Sequence, residues 1–99
     1  MTEIADFHGP HFEPPQASCV EVHWYRPCRR VQRIRVISHS CECNELLYEL
    51  CAGGGLSFVR RTVRAKGPVR AKGIVRESAW MLTAAATNLY ERILRGEAR

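Results

Sequence analysis

Three consecutive glycines, Gly53-Gly54-Gly55, stand between two apolar runs and constrain the fold more than any other stretch. Before them, Leu46-Leu47-Tyr48-Glu49-Leu50-Cys51 sets Leu46, Tyr48 and Leu50 against Leu47, Glu49 and Cys51, the period of two that a strand requires. After them, Leu56-Ser57-Phe58-Val59 resumes the apolar pattern. Glycine enters the positive-φ region without steric cost, so the triplet predicts a tight reversal and residues 46–62 read as an antiparallel hairpin. A short helix also accommodates residues 46–51. A phosphate-cradling loop is the other use of such glycines, but it needs a helix directly behind them. Leu-Ser-Phe-Val-Arg-Arg follows instead, and no P-loop lysine is present.

The hairpin needs a second layer to pack on. Ala84 to Arg95 supplies it, with Ala86, Leu89, Tyr90, Ile93 and Leu94 at the spacing of one buried helical stripe. Thr83 reads as its N-cap, Arg92 and Arg95 suit the negative end of the helix dipole, and Gly96 suits the position after the C-cap. Upstream, Cys19 to Tyr25 alternates Val20, Val22 and Trp24 against Glu21 and His23, a short strand stopped by Pro27. Val31 to Cys43 is rich in Val and Ile, yet Ile34 and Val36 share a face that Ile37 does not. A bulge near Ile37, or burial of both faces, reconciles the pattern. Asn44-Glu45 suits a turn, and Ile74 to Met81 returns to strand-like sequence.

The expected fold class is therefore α+β: an antiparallel meander of four to five short strands between Cys19 and Met81, packed by one C-terminal helix. A partly closed small barrel is the alternative. One helix covers one face of a sheet, so the other is expected to be arginine-rich and solvated, or buried in a homodimer. Residues 1–18, with Pro10, Pro14 and Pro15 and no periodicity, read as an acidic tail with little structure of its own. Residues 19–99 read as a single α+β domain. At 45% apolar and 25% charged residues, the chain as a whole is not of disordered composition.

Neither a membrane span nor the basic start and apolar core of a signal peptide is visible, so the expected location is the cytoplasm. An odd count of five cysteines then argues for reduced thiols.

Charge is unevenly spread within the net +5. Residues 1–25 carry Glu3, Asp6, Glu13 and Glu21 and no Lys or Arg, whereas no acid occurs from Ala52 to Arg76. Inside that acid-free segment a hexapeptide is written twice, Val63-Arg64-Ala65-Lys66-Gly67-Pro68 and Val69-Arg70-Ala71-Lys72-Gly73-Ile74, alike but for its last residue. Both lysines of the chain fall within it. Residues 60–76 thus form a basic arm carrying Arg60, Arg61, Arg64, Lys66, Arg70, Lys72 and Arg76, and a second cluster of Arg26, Arg29, Arg30, Arg33 and Arg35 is placed to extend that surface, with Arg33 and Arg35 on a shared strand face.

This asymmetry predicts a polyanion partner. The reading is a small basic, non-enzymatic nucleic-acid-binding protein, accessory or regulatory, that grips phosphates rather than reads bases. The arm offers no Asn or Gln to pair with a base edge. DNA is expected before RNA, because an RNA-recognition sheet needs aromatics at alternating positions of its central strands. The alternatives are a module that binds an acidic protein surface, and a homodimeric structural protein. Trp24 or Tyr25 beside the second cluster is placed to stack on a base, although packing in the core is the commoner use of a Trp.

No metal, cofactor or catalytic residue is expected. His39, Cys41 and Cys43 alternate, but same-face neighbours on a strand lie about 6.6–7 Å apart, too far for three to share one ion. Cys19 and His23 are the residues that strand pairing could add. Structural zinc uses Cys pairs two to four residues apart, and only Cys-x-Cys occurs here. Glu42, Glu45 and Glu49 read as acids balancing arginines across the sheet rather than as an acid–base pair.

Overall fold

The computed structural model describes residues 10–27, 33–41, 45–63 and 73–99. Strands β1 (Arg35–His39), β2 (Leu46–Gly53), β3 (Leu56–Val63) and β4 (Ile74–Glu77) form one antiparallel sheet in the order β1-β2-β3-β4, and helix α1 (Thr83–Leu94) packs on it. This is the α+β meander the sequence predicts, with four strands. β1 and β4 are its two ends, so the sheet is open rather than closed into a barrel.

Gly54 and Gly55 make the central reversal at φ 60° and 84°. Both angles are positive, as a two-residue hairpin turn matched to strand twist requires. Gly53 then pairs with Leu56, and the ladder runs without a break to Leu46 opposite Val63. That register puts Leu46, Tyr48 and Leu50 on the same face as Val59, Arg61 and Val63. The buried cluster forms there, from Tyr48, Leu50 and Val59 with Ala86, Tyr90 and Ile93 of the helix. In β1 the register slips between Val36 and Ser38, leaving Ile37 unmatched. The bulge explains why Ile37 breaks the alternation, and it returns Ser38 to the helix face, 3.3 Å from the Tyr90 hydroxyl.

Three local expectations are corrected. Cys19 to Tyr25 is extended but is not a strand of the sheet: Val20 bridges Ala98 and Tyr25 bridges Glu77. Its backbone partners belong to two different elements, so no continuous ladder forms, although Val22 and Trp24 do turn toward the core. The strand expected over residues 31–43 is confined to Arg35–His39, with residues 31–32 and 42–44 outside the described set. Thr83 is the first helical residue rather than the cap. Leu82 precedes it with no side-chain cap bond, and the Thr83 hydroxyl lies 3.0 Å from that of Ser57.

The expected strand from Ile74 to Met81 stops at Glu77 but pairs with β3 again at Met81, opposite Ser57. Trp80, in the interval, stacks on Phe58 with centroids 4.4 Å apart and planes at 15°. Together with Cys51 and Glu77, both buried, this stack fills part of the sheet face away from the helix. That face is neither a solvated arginine surface nor bare, because the chain's own segment after β4 folds over it.

Candidate nucleic-acid interface

Val63 and Ile74 are partners at the end of the β3–β4 ladder, so the basic arm leaves the sheet and re-enters it at adjacent positions. Arg64, Lys66, Arg70 and Lys72 lie outside the described residues. Arg60, Arg61 and Arg76 are the root of the arm, and strand alternation sends the consecutive Arg60 and Arg61 to opposite faces.

Arg60 sits between two acids, opposite Glu49 on β2 and Glu77 on β4. Its Nε and Nη2 donate to the Glu49 carboxylate at 2.9 and 3.3 Å. The bond to Glu49 holds its guanidinium above the ordinary arginine pKa. Glu77, only 5% exposed, accepts the Trp80 indole N–H at 3.0 Å. Glu49 thus balances an arginine across the sheet, and Arg60 has its charge answered within the protein. Cys51 lies in the same group, and burial raises its thiol from 9.0 to about 11. At neutral pH it is a protonated, shielded thiol and a poor nucleophile.

Arg61 faces the other way, in a row with Tyr48 on β2 and Arg76 on β4. Its guanidinium carbon lies 4.7 Å from the centroid of the Trp24 ring. Burial raises the Tyr48 phenol above its usual pKa, and the charges of Arg61 and Arg99 oppose that shift. Arg61 Nε and Trp24 Nε1 are both shielded from solvent and have no hydrogen-bond partner. The half-buried Arg76 donates Nη1 to the carbonyl of its neighbour Val75 at 2.9 Å.

Arg33 and Arg35 are exposed. Arg35 pairs with Ala52, whereas the arm's root lies level with Leu46. At about 3.3 Å per residue the two positions are roughly 20 Å apart along the sheet. Arg33 precedes β1, so strand periodicity does not give it a common face with Arg35. The structure therefore gathers Arg61 and Arg76, and separates them from Arg33 and Arg35.

The aromatic side chains divide. Trp24 packs on the core, tilted toward Tyr48 at 6.1 Å, and Tyr25 is half-exposed with its ring 4.4 Å from that of His23. Cys41 is buried and its amide donates to the Pro10 carbonyl at 2.8 Å, Cys19 is half-buried, and Cys43 lies outside the described residues. Among the described residues no three His, Cys, Asp or Glu side chains converge as a metal site would need. A cavity of about 120 Å³ beneath Phe12 is walled by Leu46, Tyr48 and Ile93 and is mainly apolar. No helix among the described residues is long and apolar enough to cross a membrane.

Sequence reasoning missed the Arg61–Arg76 opposition and the Glu77–Trp80 contact. The first depends on the β3–β4 register, which nothing local to either strand encodes, and the second spans three residues where the chain leaves β4. No protein-family model, no curated protein and no solved structure matches the chain.

Proposed function

We propose that this is a small, non-enzymatic nucleic-acid-binding protein that grips the phosphate backbone of DNA through the arm at residues 60–76. The observation that carries the reading is the pairing of Val63 with Ile74. It anchors both ends of an acid-free segment holding Arg64, Lys66, Arg70 and Lys72 at one end of a rigid sheet. A tethered basic segment meets a polyanion at a smaller entropic cost than a free tail, because its ends are already fixed. Arg61 and Arg76 add charge at the root, whereas the contribution of Arg60 is offset by Glu49.

Each phosphate neutralised releases counterions, so five to seven contacts give a log–log salt slope of roughly −4 to −6 on duplex DNA. Gel shifts with duplex DNA, single-stranded DNA and RNA test the reading. The wild type is expected to bind duplex DNA at low salt, and the Lys66→Ala/Arg70→Ala/Lys72→Ala variant is expected to lose most of that binding. Absence of binding to all three nucleic acids at low salt would rule the reading out. An acidic protein surface would then become the partner class to pursue by pull-down.

A further inference from the structure

Arg61 and Arg76 stand directly opposite each other on neighbouring strands. Facing residues of an antiparallel pair hold their Cβ atoms about 4.5–5.5 Å apart, and like charges there are destabilising. Arg60, one residue away, shows how this protein answers a guanidinium, with a carboxylate at 2.9 Å. Among the described residues neither Arg61 nor Arg76 has such a carboxylate. The helix lies over β2 and β3 and not over β4, so Arg76 is at the border where its cover ends. Both arginines are half-buried, which weakens the solvent screening that would otherwise separate their charges.

The side chains against Arg61, Trp24 and Tyr48, are uncharged. Arg61 Nε and Trp24 Nε1 are shielded and without a partner. The Trp24 ring braces the Arg61 guanidinium from one side, and Tyr48, in the same row, offers it a neutral phenol oxygen. Two half-buried guanidiniums with no carboxylate between them, one braced by an aromatic ring, form a surplus of charge that a compact, multiply accepting anion would satisfy. Guanidinium pairs match phosphate oxygens with charge-assisted, two-pronged hydrogen bonds.

We propose that Arg61 and Arg76, with Trp24 behind them, form a seat for one phosphate group. Its use in gripping a nucleic-acid backbone rests on the function proposed above, whereas the seat itself is tested apart from it. Arg61 lies two residues before the end of β3 and Arg76 two residues after the start of β4. A phosphate held between them is therefore fixed at the point from which the arm departs, and it sets where the arm meets the strand.

Thermal unfolding of the full chain in inorganic phosphate, against chloride of equal ionic strength, tests the seat. The wild type is expected to gain about 4 °C in phosphate at several times its Kd. Arg76→Gln is expected to lose that gain, keeping only the general salting-out effect common to every variant. Arg76→Glu should raise Tm in chloride by about 1–4 °C, by giving Arg61 a cross-strand acid, and should also abolish the phosphate response. A full phosphate gain in Arg76→Gln, or a lower Tm for Arg76→Glu in chloride, overturns the seat.

Duplex DNA then separates the two claims. If the seat grips the backbone, Arg76→Gln lowers the salt slope by about 1. DNA binding that Arg76→Gln leaves unchanged, slope included, removes the seat from the interface while the nucleic-acid reading stands. A phosphate response without binding to any nucleic acid leaves the seat and removes that reading.

Discussion

At φ 77° Gly96 closes helix α1, its amide bonded to the Ile93 carbonyl at 3.0 Å and the next amide, Glu97, to Arg92 at 2.8 Å. These two bonds are the helix-terminating pair that depends on a left-handed residue. A Cβ at this position would also fall on the carbonyl oxygen of Pro14, which packs against it. Gly96→Ala is therefore expected to cost about 2 kcal/mol or more, the backbone strain plus the displaced segment. Gly55 provides the control, since its φ is 84° but nothing lies within 4 Å of an added Cβ. Gly55→Ala should cost only about 1 kcal/mol, and equal urea midpoints for the two variants would show that the Pro14 contact adds nothing. The role of Gly96 after the C-cap was legible from the helical stripe before it. Its contact with Pro14 was not, because nothing near either residue encodes so distant a neighbour. Ser40 and Ser78 make the same point: each Oγ accepts a buried amide of the adjoining strand, Tyr48 at 3.0 Å and Val59 at 2.9 Å. A serine at the end of an apolar run carries no sequence mark of such a bond.

Between elements, what matters for the proposed binding is which end of the sheet each arginine occupies. Sequence reasoning found the hairpin and the helix, and offered a bulge near Ile37 as one of two ways to reconcile the pattern, because each is written in a local period. It treated Arg33, Arg35 and the arm as one surface because it had no register to separate them. The β1–β2 pairing puts Arg35 level with Ala52, away from the arm's root. The β2–β3 pairing puts Arg60 on Glu49, whose side chain is 16% exposed against 27% for Arg60. Three outcomes follow for duplex DNA. Arg33→Ala/Arg35→Ala should change the salt slope by less than about 1, because those side chains lie beyond a strand gripped by the arm. Lys66→Ala/Arg70→Ala/Lys72→Ala should lower it by about 3. Arg60→Gln should leave it unchanged but lower stability by about 1–3 kcal/mol, since it strips a half-buried carboxylate of a charged partner. A double mutant at 33 and 35 that weakened binding as much as the arm variant would show that both ends of the sheet meet the strand.

Across the whole molecule the segment from Pro10 to Tyr25 acts as a strap. The Pro10 carbonyl accepts from Cys41 beyond the end of β1, the Glu13 amide bonds to Leu94 at the end of the helix, and Gln16 bonds to Gly96. Val20 and Val22 pair with the last residues of the chain, and Tyr25 exchanges two bonds with Glu77 on β4. The prolines explain why residues 10–18 have no strand or helix of their own. Their order comes from the elements they cross. Phe12 fastens this path, its ring edge-on to Tyr48 at 5.1 Å and 90°. Removing residues 1–18 would therefore subtract core packing as well as acidic charge. Phe12→Ala isolates the packing. It is expected to cost about 2 kcal/mol, below the full value for a buried Phe because this ring is only half-buried. The strap's bonds are backbone contacts with three separate elements, so losing Phe12, which with Trp24 anchors it to the core, should loosen them as a local unit. Hydrogen exchange should then quicken at the Glu13, Gln16, Val20 and Val22 amides, while the β2–β3 ladder keeps its protection relative to the new global stability. Exchange at Val22 that quickened only in step with β2 and β3 would mean that the strap opens with the whole protein, and Phe12 would then be one core contact among several.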